Sequence, residues 1–182
     1  MRRRLQRLLQ HIAQRLLRPA GLAWLMVITA TSAQADAMQH SDIILLQPES
    51  VLAPRVPNVQ GLATYIDKAT AQAAEVTRQA EAGPPTSGFL VIAIRPGLRS
   101  NAWLDFQPPL PQPLADAVLR AMRAVTPPAV RGGPVVLAVK ASLWGGTATG
   151  RDFPAPKEWR AAMDQAGRPL ETEALVERTW RP

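Results

Sequence analysis

The chain contains no cysteine, two histidines, one tyrosine and three phenylalanines in 182 residues. Without thiols there are no disulfides, no thiolate chemistry and no Cys-based zinc site. The two histidines, His11 and His40, stand far apart. His40 sits alone in a polar segment and reads as an ordinary solvated residue. A metal site needs several imidazole or soft ligands, or a carboxylate cluster; neither is visible, and no cofactor is expected. Acidic residues are missing from residues 1–35, which hold six arginines. Taking those from the 21 basic residues leaves 15 against 14 acids, a net charge of +1 for the remainder. The formal +7 therefore belongs to the leader. A nucleic-acid reader keeps its basic footprint on the folded part, so no nucleic-acid partner is expected.

The leader has a pattern of its own. Leu5, Leu8, Leu9, Ile12, Ala13, Leu16 and Leu17 follow helical spacing, with the arginines elsewhere, as in a basic helix lying on an anionic surface. The charge-free stretch Pro19–Ala35 follows, with an apolar heart from Leu22 to Ile28 and the closing Ala33-Gln34-Ala35. A positive segment, a short apolar segment and an A-x-A step make a secretory signal peptide over residues 1–35, cleaved after Ala35. The apolar heart is short of the roughly 20 residues that a span requires. The alternative is an uncleaved N-terminal anchor with the arginines kept in the cytoplasm. The expected location is the periplasm, or, with the anchor retained, the inner membrane. No cysteine follows the apolar segment, which excludes a lipoprotein anchor.

Residues 36–57 read as a loose linker with a short strand at Ile43–Leu46, and residues 47–58 as a connecting loop. Asn58 is an N-cap candidate. Val59, Leu62, Ile66, Ala69, Ala73, Val76 and Ala80 then repeat at spacings of three and four. This seam of small residues fits a helix packed on its own sheet. The other reading is a helical assembly through a partner helix, for which three heptads are the minimum. Gly83 and Pro84-Pro85 end the helix.

Gly88 to Gly145 is the stretch rich enough in large and β-branched apolar residues to build a sheet. Phe89–Ile94 is apolar on both faces, as a central strand would be. Pro96-Gly97 fits a type II turn, predicting a hairpin with Ala102–Phe106. There Ala102, Leu104 and Phe106 share one face, and Asn101, Trp103 and Asp105 share the other, expected to be partly wet. Leu114, Ala117, Val118, Ala121, Met122 and Val125 make a helix face after a proline-punctuated approach. Val135, Leu137, Val139, Ala141 and Leu143 share one face of a third strand. Gly132-Gly133 precedes a strand, whereas a phosphate-cradling loop follows one and opens a helix. The expected fold is α+β, a three-stranded antiparallel sheet in α-β-β-α-β order over residues 58–150, packed by two helices, with a helical tail at 151–182. In the tail, Trp159 and Trp180 are expected to pack with Trp144, and Glu171, Glu173 and Glu177 to be solvated.

The order helix, hairpin, helix, strand resembles the C-terminal domain of TonB- and TolA-type envelope proteins over about Val59 to Gly145. The hydrophobic strand from Gly88 with its turn at Gly97, the helix Ala115–Val125 closing in Pro127-Pro128-Ala129-Val130, and the Gly133-Pro134-Val135-Val136 entry to the last strand carry the likeness. A Ser-Ser-Gly step after the second strand and a long proline-rich spacer are missing. The resemblance implies a protein-binding module whose partner is another envelope protein. It also implies that the last strand, through Val135, Leu137, Val139, Ala141 and Leu143, is an open edge that accepts an extended peptide. Against a hydrolase, Ser87, Ser100 and Ser142 lack a nucleophile-elbow setting, and His40 is the one histidine beyond the leader.

Overall fold

The computed structural model describes residues 38–180, which belong to one compact unit. The expectations for the leader, including the cleavage signature at Ala33 and Ala35, lie outside the described residues. Nine elements follow in order: β1 (Met38–Leu45), α1 (Glu49–Leu52), α2 (Val59–Gln79), β2 (Thr86–Arg95), β3 (Arg99–Gln107), α3 (Gln112–Arg123), β4 (Val135–Leu143), α4 (Lys157–Ala166) and α5 (Thr172–Thr179).

The sheet has four antiparallel strands in the order β1-β4-β2-β3, where three were expected. The hairpin forms as predicted, from Ser87 opposite Gln107 to Arg95 opposite Arg99. Gly97 takes a φ of +86°, the region a type II turn demands of its third residue. β4 pairs with β2 from Val135 opposite Ile94 to Leu143 opposite Thr86. The added strand is β1, which extends the anticipated Ile43–Leu46 segment back to Met38 and pairs with β4. The segment expected to be a linker is therefore part of the sheet. Its ladder is prolonged by a side chain: Gln47 Oε1 accepts from the Val136 N–H at 2.9 Å.

One face of the sheet is covered by α2 and α3. Asn58 caps α2 as expected, its Oδ1 accepting from the Gly61 N–H at 2.8 Å. The buried side of α2 holds Tyr65, Ile66, Ala69, Thr70, Ala73 and Thr77. Ala69 and Ala73 are fully enclosed, so the small residues of the seam let the helix approach its own sheet. The seam's first member, Val59, is 73% exposed. Thr70 and Thr77 return their hydroxyls to the carbonyls of Ile66 and Ala74, at 3.0 and 2.9 Å, so neither carries an orphaned donor into the core. Val118 and Met122 of α3 join Leu90, Ile92, Ile94, Leu137 and Val139 beneath them. Each such side chain contributes about 1.5–3 kcal/mol by leaving water.

The second face is also dry, because the tail folds back over it. Phe89, Val91, Ala93, Trp103, Val136 and Ala138 pack against Trp159, Ala162, Leu175 and Val176. The face bearing Asn101, Trp103 and Asp105, expected to be partly wet, is buried under α4 and its approach. Polar side chains go under cover there because they are bonded locally. Arg151 Nη1 donates to Asp105 Oδ2 at 2.7 Å, and the Ala155 N–H donates to the same oxygen at 2.6 Å. Two of the glutamates help to hold the tail down, Glu173 partly buried against expectation and Glu177 exposed as expected. Glu173 accepts from Arg55 at 2.7 Å and from Gln47 at 3.1 Å, and Glu177 pairs with Arg95. Trp103 and Trp159 meet edge to face at 5.7 Å. Trp180 lies under the Arg95 guanidinium at 4.0 Å. Trp144 does not join them: it packs against the α2/α3 side, over Gly83. Among the described residues no helix is long and apolar enough to cross a membrane.

Candidate functional site: the groove along the β3 edge

The expected binding edge is overturned by the strand order. Val135, Leu137, Val139, Ala141 and Leu143 are each 3% exposed or less. β4 is hydrogen-bonded to β2 on one side and to β1 on the other, so its backbone has no groups left for a further strand. Val135 to Val139 is an unbroken apolar run, which marks a strand covered on both faces. The same signal that placed Phe89–Ile94 centrally applied here as well.

The sheet's outer strands are β1 and β3. β1 is blunted. Its register slips by one residue between His40 and Ile43, making a bulge, and Gln39 to Asp42 present exposed polar side chains. Bulges and charges of this kind discourage a further strand. β3 is different. Its free side lies in a groove of about 1060 Å³, walled by α3 on one side and by α4 and the end of α5 on the other.

The groove is built from alternation. The Ala102 N–H donates to Asn101 Oδ1 at 2.8 Å, and the Ala102 carbonyl accepts from Arg123 Nη2 at 2.8 Å. Both Ala102 groups therefore point away from β2. In an antiparallel pair, residues alternate between bonding inward and outward. The peptide groups of Leu104 and Phe106 thus face the groove as well. The chain covers its own edge at Ala102 and leaves it uncovered for the next two outward positions.

The two ends of the groove differ. Near Asn101 stand Arg123 and, at the end of α5, Arg178, both exposed groove-lining cations. The salt bridge from Glu177 to Arg95, beside the hairpin turn, fixes the α5 terminus at this end. Near Phe106 the charges are mixed: Asp116 on α3, and Lys157, Glu158 and Arg160 on α4. Lys157 Nζ reaches across to Gln112 Oε1 at 3.3 Å and ties the walls together. Asn101 is 1% exposed, and its Nδ2 has no hydrogen-bond partner. Its amide orientation is set by the bond from the Ala102 N–H, which requires oxygen on that side.

The nominated serines and His40 are not brought together. His40 lies opposite Ala141 on β1 and shares its face. Ser142 and, opposite it on β2, Ser87 point to the other face. Ser100 is on β3, with β4 and β2 between it and β1. Ser100 instead bonds the Tyr65 hydroxyl. Burial pushes the Tyr65 phenol above its ordinary pKa, and the bond to Ser100 offsets part of that rise. Among the described residues there is no group of three or more His, Asp or Glu side chains placed to hold a metal ion.

Sequence reasoning missed β3 as the edge. The signal available was the contrast between β3, with Asn101 and Asp105 on one face, and the wholly apolar Val135–Val139. Compared with protein-family models, with curated proteins and with solved structures, the chain shows no match.

Proposed function

We propose that this chain is a non-catalytic protein-binding module that takes an extended segment of another envelope protein as a fifth strand along β3. One observation carries the reading. β3 has a sheet partner on one side only, and its outward peptide groups at Leu104 and Phe106 lie in a helix-walled groove. Main-chain bonds to such an edge supply affinity, and the walls select side chains. The element order α2-β2-β3-α3-β4 is the one on which the resemblance to TonB- and TolA-type domains rests, and it supports the reading, with the accepting edge moved to the opposite side of the sheet. The signal-peptide pattern of residues 1–35 supports export and a periplasmic site of action.

The test expresses the full chain with a photoreactive residue at Ala161, an exposed groove-wall position on α4. Irradiation in cells should yield one discrete adduct. The same residue placed at Gln72, on the exposed side of α2, should yield none. Adducts from Gln72 and none from Ala161 would reject β3 as the docking strand.

A further inference from the structure

The two walls of the groove differ in chemistry, and β3 sorts them by alternation. Leu104 and Phe106 turn their side chains to the α3 side, where Leu110, Ala115 and Leu119 line the groove. Trp103 and Asp105 turn theirs to the other side, where Lys157, Glu158, Arg160 and Ala161 line it. α3 follows β3 and runs back along it, since Arg123 at its end bonds the Ala102 carbonyl. Four helical residues advance about 6 Å, and two strand residues about 6.8 Å. Four and eight residues before Arg123, Leu119 therefore stands level with Leu104, and Ala115 level with Phe106. Leu104, Ala115 and Leu119 are each only half-buried, so the chain leaves this apolar wall unfilled.

Resting on the β3 docking reading, we infer that the occupant is a segment of the pattern apolar–x–apolar, with x acidic or uncharged. The pattern follows from register. A residue directly opposite a strand residue shares its face, whichever way the added strand runs. The two residues opposite Leu104 and Phe106 thus lay their side chains on the α3 wall, and x, opposite Asp105, faces α4. Burial against Leu119, Ala115 and Leu110 rewards apolar side chains at the two outer places. Ala115 leaves more space beside Phe106 than Leu119 leaves beside Leu104, so the larger apolar residue sits opposite Phe106. The Asp105 charge is matched by Arg151. Around x the groove then presents Lys157, Arg160 and Arg178 against Glu158, three cations to one acid, which disfavours a basic side chain there.

The experiment screens the purified protein against a random ten-residue synthetic peptide library and measures the selected peptides by fluorescence anisotropy. The expected consensus has apolar residues at i and i+2, with Lys and Arg absent between them. Replacing either apolar residue by Ser should weaken the best peptide by about tenfold or more, as loss of a buried side chain does. Ala115→Leu should shift the preference at one apolar place to a smaller residue and leave the other as it was. Leu119→Ala should admit a larger residue at the second place alone. Arg120→Gln, an exposed α3 position away from the groove lining, should change neither. Peptides blocked by Ala161→Trp but lacking the apolar pair, favouring a base between, or indifferent to Ala115→Leu and Leu119→Ala would overturn the pattern and leave β3 docking standing. Binders unaffected by Ala161→Trp, or no binders at all, would overturn β3 docking and the pattern with it. A dimer in sedimentation that Ala161→Trp dissociates would overturn the inference by making a second copy the occupant.

Discussion

Arg151 grips Asp105 twice, with Nη1 on the carboxylate at 2.7 Å and Nη2 on the backbone carbonyl at 2.7 Å. The carboxylate is 4% exposed, so its charge is matched inside the protein. Asp105→Ala should destabilise the fold by about 3 kcal/mol, because it leaves the Arg151 charge and the Ala155 N–H without their acceptor. Urea denaturation followed by far-UV circular dichroism measures this. A loss below about 0.5 kcal/mol, the range of ordinary surface changes, would mean that the pair does not hold the tail.

Trp103 on β3 and Trp159 on α4 are the aromatic contact between sheet and tail. Each single change to alanine should cost about 3–5 kcal/mol through cavity formation. The double-mutant cycle should return a coupling of about 1 kcal/mol. Additive single effects would show that the two rings pack independently.

Gly88 on β2 lies opposite Phe106 on β3, with no room for a side chain. A Cβ there would lie 2.0 Å from the Asp105 carbonyl oxygen and 2.6 Å from Phe106 Cα. Both obstacles are backbone, so no side chain can swing aside. Gly88→Ala should destabilise by about 2 kcal/mol or more, as overpacking does, and should raise amide exchange along the hairpin. Unchanged exchange there would refute the close approach.

The single tyrosine makes one titration readable without interference. Burial holds the Tyr65 phenol above its ordinary value of 10.0, so the fold favours the neutral form. Its contribution to stability is fully present below that value and is lost as pH climbs through the folded pKa. Phenolate absorbance should rise later in the native protein than in urea. Ser100→Ala should move the native midpoint further up, since the Ser100 bond pulls it down.

The elements with a strong period were readable from the residues. The α2 seam, its Asn58 cap and the Pro96-Gly97 turn are local features, and each formed where expected. What escaped was set by distant partners. Gln39 to Asp42 carry exposed polar side chains because they form an outer strand, and nothing local distinguishes them from a linker. Trp103 and Asp105 alternate as if one face met water, and the partners that let Asp105 be buried, Arg151 and the Ala155 N–H, lie 46 and 50 residues further on. The groove depended on strand order, which a continuous apolar run such as Val135–Val139 indicates but does not complete.

Gln47, Arg55 and Glu173 join the first strand's exit to the last helix, and Thr172 adds a bond to the Leu46 carbonyl at 2.9 Å. During synthesis, then, the second face of the sheet is only partly covered, by α4, until Leu175 and Val176 of α5 have been made.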